Sequence, residues 1–212
     1  MKKILIVVDY QNEFASEDGI LYVNKGESIV DKIQSKIDSN KYASIIYTFD
    51  THKKEEYEKS EEKKLFPIHC EYNKPNWELY KIKPKSNERF SEIISRRHEN
   101  EIFQFIQIEN EFFFTKNKFN IWIGNEMFPK FIENHFSNKE YEVEVVGLAT
   151  DYCVKEAIKG FVDRNYKVSI DKEATRGIYN ISTEKEIFEE FKKEKVSIIK
   201  EEKQRKKRVQ NA

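Results

Sequence analysis

Short apolar runs alternate along this chain with amphipathic stretches of helical period. Ile4–Val8 is an unbroken apolar run stopped by Asp9, the pattern of a strand buried on both faces. Ala43–Phe49 reads as a second strand of this kind, and between the two Ile29, Val30, Ile33 and Ile37 recur near helical spacing. Glu111–Thr115 is aromatic and strand-like, and the stretch from Glu126 to Phe136 sets Phe128, Phe131 and Ile132 on one side of a helix. Glu142–Leu148 alternates and then turns apolar, as a central strand does. Directly after it, Val154, Ala157, Ile158, Phe161 and Val162 mark a strongly amphipathic helix. Tyr166–Ile170 is a further strand, Thr183 and Glu186 form a capping box for a helix through about Lys193, and Val196–Ile199 is a last strand.

Strands separated by helices imply parallel pairing through right-handed crossovers, hence an α/β fold with a mainly parallel sheet covered on both faces. Ligands of such sheets sit beyond the carboxyl ends of the strands. There the chain places Asp9, Asp50 with His52, Lys116, and the segment Gly147–Cys153. Residues 1–200 are expected to form a single domain, followed by a basic tail at 201–212 that reads as a solvated terminus. Two stretches break the pattern. Residues 53–64 are nearly all charged and suggest a loop or short solvated helix, and residues 85–109 suggest a helical hairpin or an insertion.

Composition narrows the function. Of the 212 residues 36% are charged and 14% aromatic, which describes a charged surface over an aromatic interior rather than a disordered chain. Lys+Arg and Asp+Glu number 38 each, so no overall field draws the protein to nucleic acid or to an anionic membrane. The opening apolar run is too short for a signal peptide, and no stretch is long enough to span a bilayer. Two cysteines far apart, Cys70 and Cys153, are then expected to be reduced thiols of a cytoplasmic protein.

Cys153 joins a buried strand to the first turn of an amphipathic helix, where free N–H groups and the helix dipole favour a reactive thiolate. It also has the composition of a small buried hydrophobe. Asp9 is placed to act as a general base, or simply to cap the turn after it. Lys116, if it met both, would hold them as anions. Asp50 and His52 can face one ion from a strand end, with His69 from the next loop and Glu61 or Glu62 from the acidic segment. Such oxygen and nitrogen donors suit Zn²⁺, Fe²⁺ or Mn²⁺, although both histidines are equally compatible with hydrogen-bonded surface positions. Cys70 lacks an anion-stabilising neighbourhood and reads as packed and inert.

Taken in order, these segments resemble the isochorismatase-like cysteine hydrolases, and among them the nicotinamidase/pyrazinamidase subgroup. The signatures are Val8-Asp9-Tyr10-Gln11-Asn12-Glu13-Phe14, Thr48-Phe49-Asp50-Thr51-His52, Leu65-Phe66-Pro67-Ile68-His69-Cys70, Lys116 followed by Phe119-Asn120-Ile121-Trp122, and Gly147-Leu148-Ala149-Thr150-Asp151-Tyr152-Cys153-Val154. The resemblance implies a three-layer α/β/α sandwich, a catalytic triad on Asp9, Lys116 and Cys153, and a cis peptide between Leu148 and Ala149. It implies an oxyanion hole from the N–H groups of Ala149 and Cys153. It also implies a divalent metal, Zn²⁺ first and Fe²⁺ or Mn²⁺ otherwise, on Asp50, His52 and His69. Where the subgroup often carries a third histidine this chain has none, so Glu62, and less readily Glu61, is expected to stand in. The expected substrate is a small molecule, nicotinamide, with its ring on the metal and walled by Phe14, Phe66 and Trp122. Its hydrolysis would give nicotinate and ammonia through a thioester. The alternatives are another small amide, a catalytically idle member used for binding, or hydrolysis by metal-bound water; a homo-oligomer is compatible with any of these.

Overall fold

The structure is a computed structural model that describes residues 1–98, 101–179 and 182–199. The basic tail at 201–212 and residues 99–100 of the polar segment therefore lie outside the described residues. Seven strands form one sheet: β1 Lys2–Val8, β2 Ser44–Asp50, β3 Phe105–Ile108, β4 Glu111–Lys116, β5 Tyr141–Leu148, β6 Lys167–Arg176 and β7 Ser197–Ile199. They lie in the order β3-β4-β2-β1-β5-β6-β7. Every neighbouring pair is parallel except β3 with β4.

The helices are α1 Asn12–Ala15, α2 Val30–Asp38, α3 Lys54–Tyr57, α4 Asn87–Ser95, α5 Ile121–Gly124, α6 Met127–His135, α7 Cys153–Asp163 and α8 Glu184–Lys193. Because side chains alternate along a strand, β1 feeds two cores. Ile4, Ile6 and Val8 meet Trp122, Phe128, Phe131, Phe161 and Phe188 of α5–α8 on one face. Leu5 and Val7 meet Ile33, Ile37 and Phe90 of α2 and α4 on the other. The result is the three-layer α/β/α sandwich that the alternating pattern implies. Thr183 accepts from the Glu186 amide while the Glu186 carboxylate accepts from the Thr183 amide, so the capping box opens α8 as its sequence predicts. Among the described residues, no helix is long and apolar enough to cross a membrane.

Residues 85–109 differ from the helical hairpin their polarity suggests. Their described residues carry helix α4 and then the edge strand β3, which turns back antiparallel on β4. A buried carboxylate fastens this segment. Glu111, first in β4, accepts from Tyr47 Oη at 2.7 Å, the Lys85 amide at 3.0 Å, the Ser86 amide at 2.7 Å and Ser86 Oγ at 2.6 Å. The charged stretch 53–64 forms a short helix, one of the two forms its sequence suggests, but is not wholly solvated. It carries α3 and a 3-10 turn at Glu62–Lys64, with Tyr57 and Glu62 turned inward.

Candidate active site

Four strands deliver the site at their carboxyl ends, around the central β1. Asp9 leaves β1 with φ 44°, a left-handed conformation that Asp tolerates and that turns the chain sharply. Thr48 Oγ1 donates to Asp9 Oδ1 at 2.6 Å. Asp50 ends β2 and is register partner to Lys116, which ends β4. Gln11 fixes the Asp50 peptide from both sides. Its Nε2 donates to Asp50 O at 3.0 Å, and its Oε1 accepts from Asp50 N at 2.8 Å.

Beyond β5 the chain must pass close over β1. Gly147 has φ 115°, and a Cβ there would lie 2.1 Å from Val8 O, so only glycine fits. The Leu148–Ala149 peptide that follows is cis. Ala149 O then accepts from the amides of Tyr152 and Val154, and the tight turn sets Cys153 at the first position of α7.

These side chains converge. Lys116 Nζ lies 2.9 Å from Asp9 Oδ2, 2.8 Å from Asp50 Oδ1 and 3.5 Å from Cys153 Sγ, with all four residues buried. Burial pushes the Cys153 thiol well up. Lys116 opposes this, and the charges of Asp9 and Asp50 add to it. The helix terminus, which favours a thiolate, is thus set against burial and the two carboxylates. The two carboxylates on Lys116 diverge. Burial raises Asp9, with Lys116 offsetting part of the rise. For Asp50, burial is outweighed by Lys116, His52 and His69, which hold it well below the usual carboxylate range. Burial would lower Lys116, but Asp50 and Asp9 keep its ammonium charged.

Asp50 also faces a second cluster. Its Oδ2 lies 3.1 Å from His52 Nε2 and 2.9 Å from His69 Nε2, and His69 Nε2 lies 3.4 Å from Glu62 Oε1. The ligand atoms of all four buried residues are within 4.8 Å of one another. Glu62 Oε1 is buried without a hydrogen-bond partner among the described residues, which leaves its lone pairs free for a cation. With bonds of about 2.0–2.1 Å, a tetrahedral ion holds its ligand atoms about 3.3 Å apart, close to the spacings here. The donor set therefore fits a divalent metal. Glu61, the other acidic candidate, points to solvent and pairs with Lys64. His69 Nδ1 donates to Pro67 O at 2.9 Å, which directs Nε2 into the cluster. Burial would lower the His69 imidazole, yet the carboxylates of Asp50 and Glu62 beside it push it up to about 10. The Tyr57 ring backs both imidazoles, its centroid 4.7 Å from that of His52 and 5.4 Å from that of His69.

A small cavity of about 30 Å³ opens between the thiol and the cluster. Phe14, Phe66, Ala149 and Cys153 line it as expected, together with Leu21, Phe119, Tyr152 and Ile178. Trp122 does not. Its indole is buried on the far side of α7, where Nε1 donates to Ala157 O at 3.2 Å and the ring packs against Phe128 and Phe161. Gly160 on α7 makes room for it, since a Cβ there would sit 1.9 Å from Trp122 Nε1. The ring-wall position falls instead to Phe119, three residues earlier. Phe66, Phe119 and Tyr152 meet edge to face with centroids 5.5–5.8 Å apart. Cys70 is buried and unpaired, with burial raising its thiol well up, in keeping with an inert role.

No family model matches the chain. It is 27% identical to the nicotinamidase of Saccharomyces cerevisiae, across 91% of this chain and 94% of that protein. The pyrazinamidase of Pyrococcus horikoshii, solved in complex with zinc, superposes with a TM-score of 0.72 at 23% identity, over 95% of this chain and 100% of that one. PnC1 of L. infantum, solved with nicotinate, gives a TM-score of 0.71 at 17% identity, over 94% and 92% of the two chains. The chain thus has the isochorismatase-like α/β fold, and its sequence resemblance within that fold is to the nicotinamidases.

Proposed function

We propose that this protein is a metal-dependent cysteine amidohydrolase that converts nicotinamide to nicotinate and ammonia. One observation carries the reading: the Lys116 ammonium touches Asp9, Cys153 and Asp50 at once, joining a thiol and a carboxylate to a four-ligand cluster.

Asp9 takes the thiol proton as Cys153 Sγ attacks the amide carbon. Asp9 suits the task better than Asp50, because a raised carboxyl accepts a proton more readily than a depressed one. The amide oxygen, gaining charge, is received by the N–H groups of Ala149 and Cys153. The C–N bond then breaks, Asp9 returns its proton, and ammonia leaves an acyl group on sulfur. Water attacks this thioester, Asp9 takes its proton, and the acid departs as the proton passes back to Cys153 Sγ. Lys116 stays charged throughout and keeps Asp9 beside the sulfur.

Asp50, His52, His69 and Glu62 would hold the ion, for which Zn²⁺ is the first choice and Fe²⁺ or Mn²⁺ the alternatives. When bound, a divalent ion there supplies a Lewis acid for a pyridine nitrogen. Phe14, Phe66 and Phe119 would grip the flat ring. The yeast relative supports the activity, and the zinc-bound and nicotinate-bound neighbours support the fold that frames it. The unpaired Cys70 and Cys153 accord with a reducing cytoplasm. The test is Cys153→Ala, assayed for ammonia release from nicotinamide. Release should vanish while metal content stays at the wild-type level; retained turnover would overturn the nucleophile and favour hydrolysis by metal-bound water.

A further inference from the structure

We infer that Glu13 is a positioning residue, whose carboxylate sets the two metal-facing imidazoles and ties them to the wall of the ring pocket. The inference rests on the metal reading above and assigns a role outside the triad and the cluster.

Glu13 lies in α1, four residues after Asp9, and is only 2% exposed. Its two oxygens serve two different loops. Oε2 accepts from the Cys70 amide at 3.0 Å. Oε1 accepts from the Ile20 amide at 2.6 Å and from Asn76 Nδ2 at 3.5 Å. Cys70 is the residue through which both histidines are reached. His69 directly precedes it, and its own carbonyl accepts from the His52 amide at 3.1 Å. It also has φ 41°, a left-handed conformation that a non-glycine residue holds only when its surroundings fix it. The anchored Cys70 peptide therefore sets where the His52 and His69 backbones stand relative to each other.

The other oxygen holds the segment that leads into the pocket wall. Ile20 is followed by Leu21, and Phe14 follows Glu13; both Leu21 and Phe14 line the cavity. The Phe14 ring also meets His69 edge to face at 5.9 Å. Each carboxylate oxygen accepts from a backbone N–H, so a Gln side chain of the same size would set an NH₂ group against one of them. Groups that orient metal ligands from behind typically change metal affinity by about 10–100-fold when altered.

The experiment uses the full chain with Zn²⁺ as the probe, competed against a chromogenic chelator, and the Co²⁺ absorption spectrum as a second readout. Glu13→Gln should bind Zn²⁺ about 10–100-fold more weakly and shift the Co²⁺ bands, while iodoacetamide alkylates Cys153 at a rate within about twofold of wild type. Equal Zn²⁺ affinity overturns the inference alone. A parallel change in Cys153 alkylation overturns the positioning role in favour of general loosening. A wild-type chain that binds neither Zn²⁺ nor Co²⁺ overturns the metal reading and this inference with it. Should Glu13→Gln fail to fold, amide hydrogen exchange on the wild type decides. Zn²⁺ should slow exchange at both Cys70 and Ile20, and an Ile20 amide indifferent to Zn²⁺ overturns the link to the pocket.

Discussion

Lys116 Nζ stands 2.9 Å from Asp9 Oδ2, and neither group reaches solvent. The pair acts on the neighbouring thiol in opposite senses: the ammonium lowers the Cys153 proton affinity and the carboxylate raises it. In the proposed mechanism both are needed, Asp9 as the base and Lys116 to keep that base in place.

That opposition separates thiol reactivity from turnover. In Lys116→Met the cation is lost, the thiol rises further, and iodoacetamide should alkylate Cys153 about threefold to tenfold more slowly at pH 8. In Asp9→Asn the opposing charge is lost, the thiol falls, and alkylation should accelerate by a similar factor. Ammonia release should collapse in both. Parallel slowing in the two variants would show that Asp9 acts on the thiol chiefly as the base that removes its proton, and not as a charge that raises it.

Trp122 belongs to the core and not to the ring pocket. Trp122→Phe removes the bond to Ala157 O and the stacking of Arg164, whose guanidinium lies 4.0 Å from the indole centroid. It should cost about 1–2 kcal/mol in urea unfolding and leave KM for nicotinamide within about twofold. A raised KM at unchanged stability would return Trp122 to the pocket.

Glu111 sits at the opposite end of β4 from Lys116 and has no part in the chemistry. Glu111→Gln leaves donors from Tyr47, Lys85 and Ser86 around a neutral amide and should destabilise the chain by about 2–3 kcal/mol. Amide exchange should rise first in α4, with kcat/KM little changed. Unaltered exchange in α4 would refute the anchoring role.

Periodicity made the central strands and α7 legible, because a strand buried on both faces and a helix with one apolar stripe leave different spacings. Motif order is what brings Asp9, Lys116, Cys153 and the histidine cluster together in the sequence, with Asp9, Asp50 and Lys116 at or next to strand ends and His69 and Glu62 on loops. The edge strand β3 was not legible: Phe105, Ile106 and Ile108 are too few to outvote the polar residues around them. The ring-wall place that the resemblance implies for Trp122 fails because a motif position on the four-residue α5 does not say which way a side chain points. Gly160 on α7 was the available sign that something large approaches there. Glu13 and Gln11 stand within the first signature, but their roles are not legible there, because buried polar residues are indistinguishable in sequence from solvated ones; only their backbone partners, distant along the chain, reveal them.

The pairing of β2 with β4 places Asp50 directly beside Lys116. A slip of one residue would send the Lys116 side chain to the other face of the sheet and dismantle both halves of the centre together. Enzymatic competence is thus an all-or-none gauge of correct strand alignment, and the specific activity of renatured material counts the fraction of molecules that have zipped in register.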